Sequence, residues 1–181
     1  MEAIITRKVN LDDNSIVALQ QIGRKTFYET FAPVNSEENM SQYLEEKFSP
    51  SKLANELSNP LSAFYFALLK GEPIGYLKIN FGNAQTELKD ANSLEIERIY
   101  VLQEYHGRKV GQLLYEKAME VAIQQKVDYV WLGVWEENKR AIGFYSKNGF
   151  VAFDRHIFKL GDDEQTDIMM KKSLENHELH H

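Results

Sequence analysis

The sequence contains no cysteine, which excludes disulfides, zinc–thiolate sites and cysteine nucleophiles and makes a reducing, cytoplasmic setting the natural expectation. It also lacks any apolar run approaching the ~20 residues of a membrane-spanning helix. The opening MEAIITRKVNLDDNS has no apolar core of the kind a signal peptide carries. Positive charge is in short supply as well. Lys and Arg number 21 against 27 Asp and Glu, a formal net charge of -6, which argues against nucleic-acid binding because that needs a basic face. A polyanionic ligand must then be held by a local positive pocket, whereas a small cation is steered in by the wider field.

What is present suits one folded domain. A length of 181 residues falls within the usual ~100–200 per domain. With 43% hydrophobic residues, a chain of that length can build a core without covalent staples. We expect the domain to span residues 1–172, followed by a polar tail at 173–181 that contains His177, His180 and His181. Ala3–Val9 reads as a strand. Asp12 and Asp13 then cap a helix with Ile16, Leu19, Ile22 and Phe27 at helical spacing, ended by Pro33. Short helices follow from Ser36 and from Pro50.

The pattern then changes to strands. Ala63–Leu69 and Ile74–Asn80 flank Lys70-Gly-Glu-Pro73, a hairpin turn. Gly82–Ser93 is a polar loop long enough to suggest function or mobility. Leu94–Val101 is a strand on which strict alternation puts Glu95 and Glu97 on the face of Ile99 and Val101. A helix carrying Val110, Leu114, Ala118 and Ala122 on one side leads to Tyr129–Trp135, an apolar run expected of a strand covered on both faces. Asn138–Lys147 is a helix stopped at Asn148-Gly149, and a last hairpin turns at Gly161–Glu164. The order is mixed α/β, with one strand–helix–strand crossover between Leu94 and Trp135.

At the start of that crossover helix stands EYHGRKVGQ. The first amides of a helix lack intrahelical partners and carry the positive end of its dipole. Gly107 and Gly111 permit close approach of an oxyanion, and Arg108 and Lys109 add counter-charge. A basic helix start that meets only water has the same composition, so downstream residues decide. The stretch Gly133–Phe150, an apolar strand followed by Asn138, Ala141, Tyr145 and Gly149-Phe150, resembles the second signature of the GCN5-related N-acetyltransferases (GNAT). His106-Gly-Arg-Lys-Val-Gly111 is similar to the first signature, (Gln/Arg)-x-x-Gly-x-(Gly/Ala). It departs in having His106 for Gln or Arg, and Lys109 for the first glycine. A lysine suits the latter position if its dihedrals stay helical.

This resemblance implies the GNAT fold: a central, mostly antiparallel sheet of about seven strands with a parallel, splayed pair, flanked by helices. The stretches Thr26–Pro33, Gly75–Asn80, Ala84–Glu87, Glu95–Val101 and Gly161–Asp167 look like the PaiA group of Gram-positive bacteria. That likeness implies acetyl transfer from acetyl-CoA to a polyamine such as spermidine or spermine, without a metal. Ile99, Tyr100, Val101, Gly107, Arg108, Lys109, Val110, Gly111, Gln112, Asn138, Tyr145 and Lys147 are the implied acetyl-CoA contacts. Glu97 is the implied proton acceptor, with Glu95 as its rival, and Tyr145 the implied general acid. The partner is then a small cationic amine, with neither nucleic acid nor membrane involved. A protein N-terminal or lysine amine is the alternative acceptor, a non-catalytic acetyl-CoA-binding regulator the alternative class. Monomer and homodimer both remain open.

Overall fold

The alternating apolar residues of Ile74–Asn80 and the apolar run Tyr129–Trp135 become central strands of one seven-stranded sheet. The computed structural model describes residues 3–174; the tail histidines His177, His180 and His181 lie outside the described residues. The elements are β1 (Ile4–Lys8), α1 (Asp13–Phe31), α2 (Glu37–Lys47), α3 (Pro50–Ser58), β2 (Ser62–Leu69), β3 (Glu72–Phe81), β4 (Ser93–Val101), α4 (Val110–Gln124), β5 (Tyr129–Trp135), α5 (Lys139–Lys147), β6 (Val151–Leu160) and β7 (Asp163–Ser173). The sheet order is β1-β2-β3-β4-β5-β7-β6, antiparallel throughout except for the parallel pair β4/β5. This is the mostly antiparallel, seven-stranded arrangement with a parallel pair that the sequence implied. Among the described residues no helix is long and apolar enough to cross a membrane.

Local signals set most boundaries. Asp12, Ser36, Ser49 and Asn138 each accept a hydrogen bond from the backbone amide three residues on, capping α1, α2, α3 and α5. Lys70 and Gly71, both at positive φ, make a two-residue turn between β2 and β3. The last hairpin is also tighter than expected. Leu160 pairs with Asp163, so only Gly161 and Asp162 lie in the turn, and Asp163, Glu164 and Gln165 join the strand.

Alternation fails at one place that matters. Lys78 pairs with Arg98 but Ile79 pairs with Ile96, so Glu97 is an extra residue in β4, a β-bulge. Because the bulge shifts the phase, Glu95, Arg98 and Tyr100 share one face, opposite Asn80, Lys78 and Tyr76 of β3. Ile99 and Val101 fall on the other face with Leu94 and Ile96. The expected placement of Glu95 and Glu97 beside Ile99 and Val101 is therefore corrected: the carboxylate of Glu97 turns to Lys78 and Asn80.

The two faces carry different helices. Leu114 of α4 is completely buried and lies against Gly75, where a side chain would collide with the Tyr100 carbonyl. Truncating Leu114 to alanine would cost about 2–5 kcal/mol. On the other face Arg98 sits over the Phe48 ring, which meets Phe27 of α1, and Tyr43 of α2 stacks on Phe27 at 4.5 Å. α5 lies beside α4, joined through Tyr115, Phe144, Tyr145 and Phe150. The loop before β4 is pinned rather than loose. Gln85 is buried, its amide donates to the Gly82 and Asp90 carbonyls, and its oxygen accepts from Ser93 and from the Trp131 indole.

Candidate active site

β4 and β5 run side by side only from Ser93–Ile96 against Tyr129–Leu132. Beyond that they part, leaving Glu97–Val101 and Gly133–Trp135 as the two walls of an opening. Two cavities meet there, of about 920 Å³ and about 320 Å³, sharing Thr30, Ile99, Tyr100, Trp135, Asn138 and Ala141.

The larger cavity runs toward the start of α4. Ten of the implied cofactor residues line it: Ile99, Tyr100, Val101, Gly107, Lys109, Val110, Gly111, Gln112, Asn138 and Lys147. Two do not. Arg108 instead places its guanidinium over the Tyr105 ring, 5.3 Å from the centroid. Tyr145 lines the smaller cavity. Gly107 adopts φ +85°, and a Cβ added there would meet nothing within 4 Å, so the backbone is bare to an incoming group. Gly111 is nearly as open, with the Val101 methyl at 4.0 Å from such a Cβ.

Lys109 does not keep helical dihedrals. It caps α4 from the left-handed region, at φ 63° and ψ 22°. The turn into α4 needs a positive φ here, which glycine takes freely and lysine takes at a cost of about 1–2 kcal/mol. His106 closes the same turn through a ring nitrogen 3.0 Å from the Val101 carbonyl oxygen, tying the helix start to the end of β4. Arg140 also lines this cavity, and only the general prevalence of arginine at anion sites pointed to it in sequence.

The smaller cavity is the more acidic, although Lys47, Lys52 and Arg98 also line it. Five carboxylates line it: Glu56, Glu87, Glu95, Glu97 and Asp167. Glu97 lies 2.7 Å from Lys78 and 3.5 Å from Arg98, and it accepts from the Asn80 amide at 2.8 Å. Burial opposes its charge, but Arg98 and then Lys78 outweigh that and hold its carboxyl down at about 2. Glu56 bonds Arg98 and Lys78, both at 3.3 Å. Glu95 is buried, which raises its pKa, against hydrogen bonds from Thr86 and Asn80 that lower it.

Glu87 is carried by the pinned loop to within 3.3 Å of His156 on β6, a histidine that sequence alone marks as ordinary. Asp167 of β7 pairs across the sheet with both Trp135 and His156. Burial pushes its carboxyl up to about 6, partly offset by His156. Sequence reasoning did not single it out, although one acid inside Thr166-Asp-Ile-Met-Met170 is a legible oddity in a strand. Tyr145 is buried, and burial, reinforced by Tyr115, raises its pKa, so the phenol keeps its proton. Asn138 uses its side-chain oxygen to cap α5, which leaves its NH₂ group for other partners.

Comparison with known proteins fits this geometry. Residues 23–150 match the sequence model of the Acetyltransferase (GNAT) family. An uncharacterized N-acetyltransferase of Lactobacillus delbrueckii subsp. lactis is 42% identical over 166 residues, covering 92% of this chain and 96% of that protein. The spermidine N(1)-acetyltransferase of Thermoplasma acidophilum is 28% identical over 178 residues, 96% of this chain and 99% of its own length. Among solved structures, the PaiA N-acetyltransferase of Thermoplasma acidophilum in complex with coenzyme A superposes with a TM-score of 0.78 at 27% identity, over 95% of this chain and 99% of that one.

Proposed function

The chain belongs to the GNAT acetyltransferase family and is an N-acetyltransferase, and on that premise we propose that it moves an acetyl group from acetyl-CoA directly to a primary amine of a polyamine such as spermidine. The observation that carries this reading is the division of charge across the splay. On one side lies a helix start with Lys109, Arg140 and Lys147 alongside Glu29 and Glu137, and on the other a cavity whose five carboxylates outnumber its cations Lys47, Lys52 and Arg98. The Thermoplasma relative named for spermidine and the Thermoplasma structure that holds coenzyme A support the two halves.

The residues of the larger cavity fit the cofactor. The unpartnered amides of Val110–Gln112, the bare backbone at Gly107 and the side chains of Arg140 and Lys147 suit a pyrophosphate, and the Asn138 NH₂ suits the amides of a pantetheine arm. Acetyl-CoA supplies an activated acetyl thioester. On the protein's side, an alkyl ammonium with a pKa of about 10.4 is free amine in roughly one molecule in 2,500 at pH 7, so a proton acceptor is required. Tyr145, kept protonated by burial, is the group assigned to give a proton to the departing sulfur. A carboxyl held down at about 2 is a poor acceptor, so Glu97 serves this chemistry by fixing Arg98 in the cavity wall, with Lys78 paired to it from behind. The absence of cysteine agrees with direct transfer through a ternary complex rather than an acyl-enzyme.

The test is release of free CoA thiol by purified protein given acetyl-CoA and a panel of amines. Spermidine or spermine should be turned over with intersecting initial-rate patterns. Turnover with peptide amines alone would overturn the polyamine reading.

A further inference from the structure

Four of the five carboxylates in the acceptor cavity are already engaged. Glu56 and Glu97 are ion-paired with Lys78 and Arg98, Glu95 accepts from Asn80 and twice from Thr86, and Glu87 faces His156. Asp167 is the exception: among the described residues no hydrogen bond or ion pair engages its carboxylate. Its position is also distinctive. It stands opposite Trp135, the last residue of β5, whose ring borders both cavities. It packs beside Gly133, where a Cβ would touch the Asp167 Oδ2 oxygen at 3.4 Å. Trp135 and Phe158 flank the same space with aromatic rings, which suit a cation.

We infer that Asp167, with Glu87 and His156 beside it, is the group that anchors the reacting ammonium of the acceptor and takes its proton. The inference rests on the acetyltransfer reading above and deepens it. In the step, one ammonium proton passes to the Asp167 carboxylate, and the freed nitrogen pair forms the C–N bond to the acetyl carbon. The C–S bond pair leaves with sulfur, which receives a proton from Tyr145, and the second proton that the acylated nitrogen must shed restores the Tyr145 phenol, leaving a neutral amide. Asp167 later returns its proton to solvent through the open mouth at Glu87. A carboxyl pushed up to about 6 is a far better acceptor than one held near 2, and it is still ionised at neutral pH to attract the cation.

The ionisable groups facing Asp167 are His156 of β6, Glu87 of the loop before β4, Tyr43 of α2 and Tyr100 of β4. Burial raises both tyrosines, in Tyr43 against a lowering pull from Arg98, so they stay neutral across the working range.

The experiment compares Asp167→Asn with the wild type on whichever amine the wild type uses best. The expected result is a fall of about 100-fold in kcat/KM, with acetyl-CoA binding by calorimetry unchanged within about twofold. The wild-type rate should also fall on acidification with a midpoint near about 6, a limb absent from the variant. A second readout needs no turnover. A carboxyl raised by folding makes the folded protein less stable as pH rises from the unfolded value toward 6, so free Asp167→Asn should melt higher than wild type at pH 8, with the gap closing by pH 4. A variant within threefold of wild type, or an unchanged acid limb, overturns the inference whichever amine is used. A fall measured on a peptide amine, with polyamines inert, sustains Asp167 and overturns the polyamine reading instead.

Discussion

The two cavities that meet at the splay are built in opposite ways. The larger one is built largely from backbone: a helix start, a positive-φ glycine and a turn closed by His106, with cationic side chains at the rim. The smaller one works through side chains drawn from α2, α3, β4, β5, β6, β7 and the loop before β4. A backbone cradle recognises what every family member shares, because amides do not depend on side-chain identity. A side-chain cavity can be retuned residue by residue, so the proposed reading puts acceptor choice there.

The largest expected break of this contrast is at Tyr145, which lines the smaller cavity. Tyr145→Phe should lower kcat by about 100-fold or more while leaving acetyl-CoA affinity within about threefold, checked by steady-state rates and calorimetry. An unchanged kcat would remove Tyr145 from the proton path.

Next comes the floor of the acidic side. Glu97→Gln leaves Lys78, only 7% exposed at its side chain, and Arg98 short of counter-charge, and should cost about 3 kcal/mol of stability by urea unfolding. Because folding lowers the Glu97 carboxyl from its ordinary 4.5 to about 2, its contribution is complete above about pH 4.5. It is lost as pH falls toward 2, so the gap between variant and wild type should narrow over that window.

On the cationic side, Arg140→Ala with Lys147→Ala should raise the KM for acetyl-CoA about tenfold at low salt and less at high salt, with little change in kcat. A change in the amine KM instead would mean that the two cavities do not divide the substrates. The smallest effect is expected at Lys109. Lys109→Gly relieves the left-handed conformation and should gain about 1 kcal/mol in unfolding free energy while weakening acetyl-CoA modestly. Lys109→Ala should weaken it alike without that gain.

The same contrast explains what the residues reveal before the fold is known. The cradle is local in sequence: His106–Gln112 and Asn138–Lys147 are short stretches whose spacing carries their geometry, and ten of the twelve implied contacts meet in one cavity. The strands and helix caps are local as well, and were legible for that reason. The acceptor side is not. The bulge at Glu97 reverses which residues share a face with Glu95, and alternation has no means of showing an inserted residue. Asp167 and Glu87 lie 80 positions apart, joined through a loop held by Gln85 and Trp131 and through strand pairing with His156. The left-handed Lys109 was hidden for another reason, since only glycine announces a positive φ.

The claim that the acidic cavity selects a polycation is tested most directly by the ratio of kcat/KM for spermidine to that for a monoamine of matched length, measured at low and high salt. The account predicts a ratio above about 10 at low salt that shrinks as salt screens the carboxylates. A ratio near one at both salt levels would contradict it.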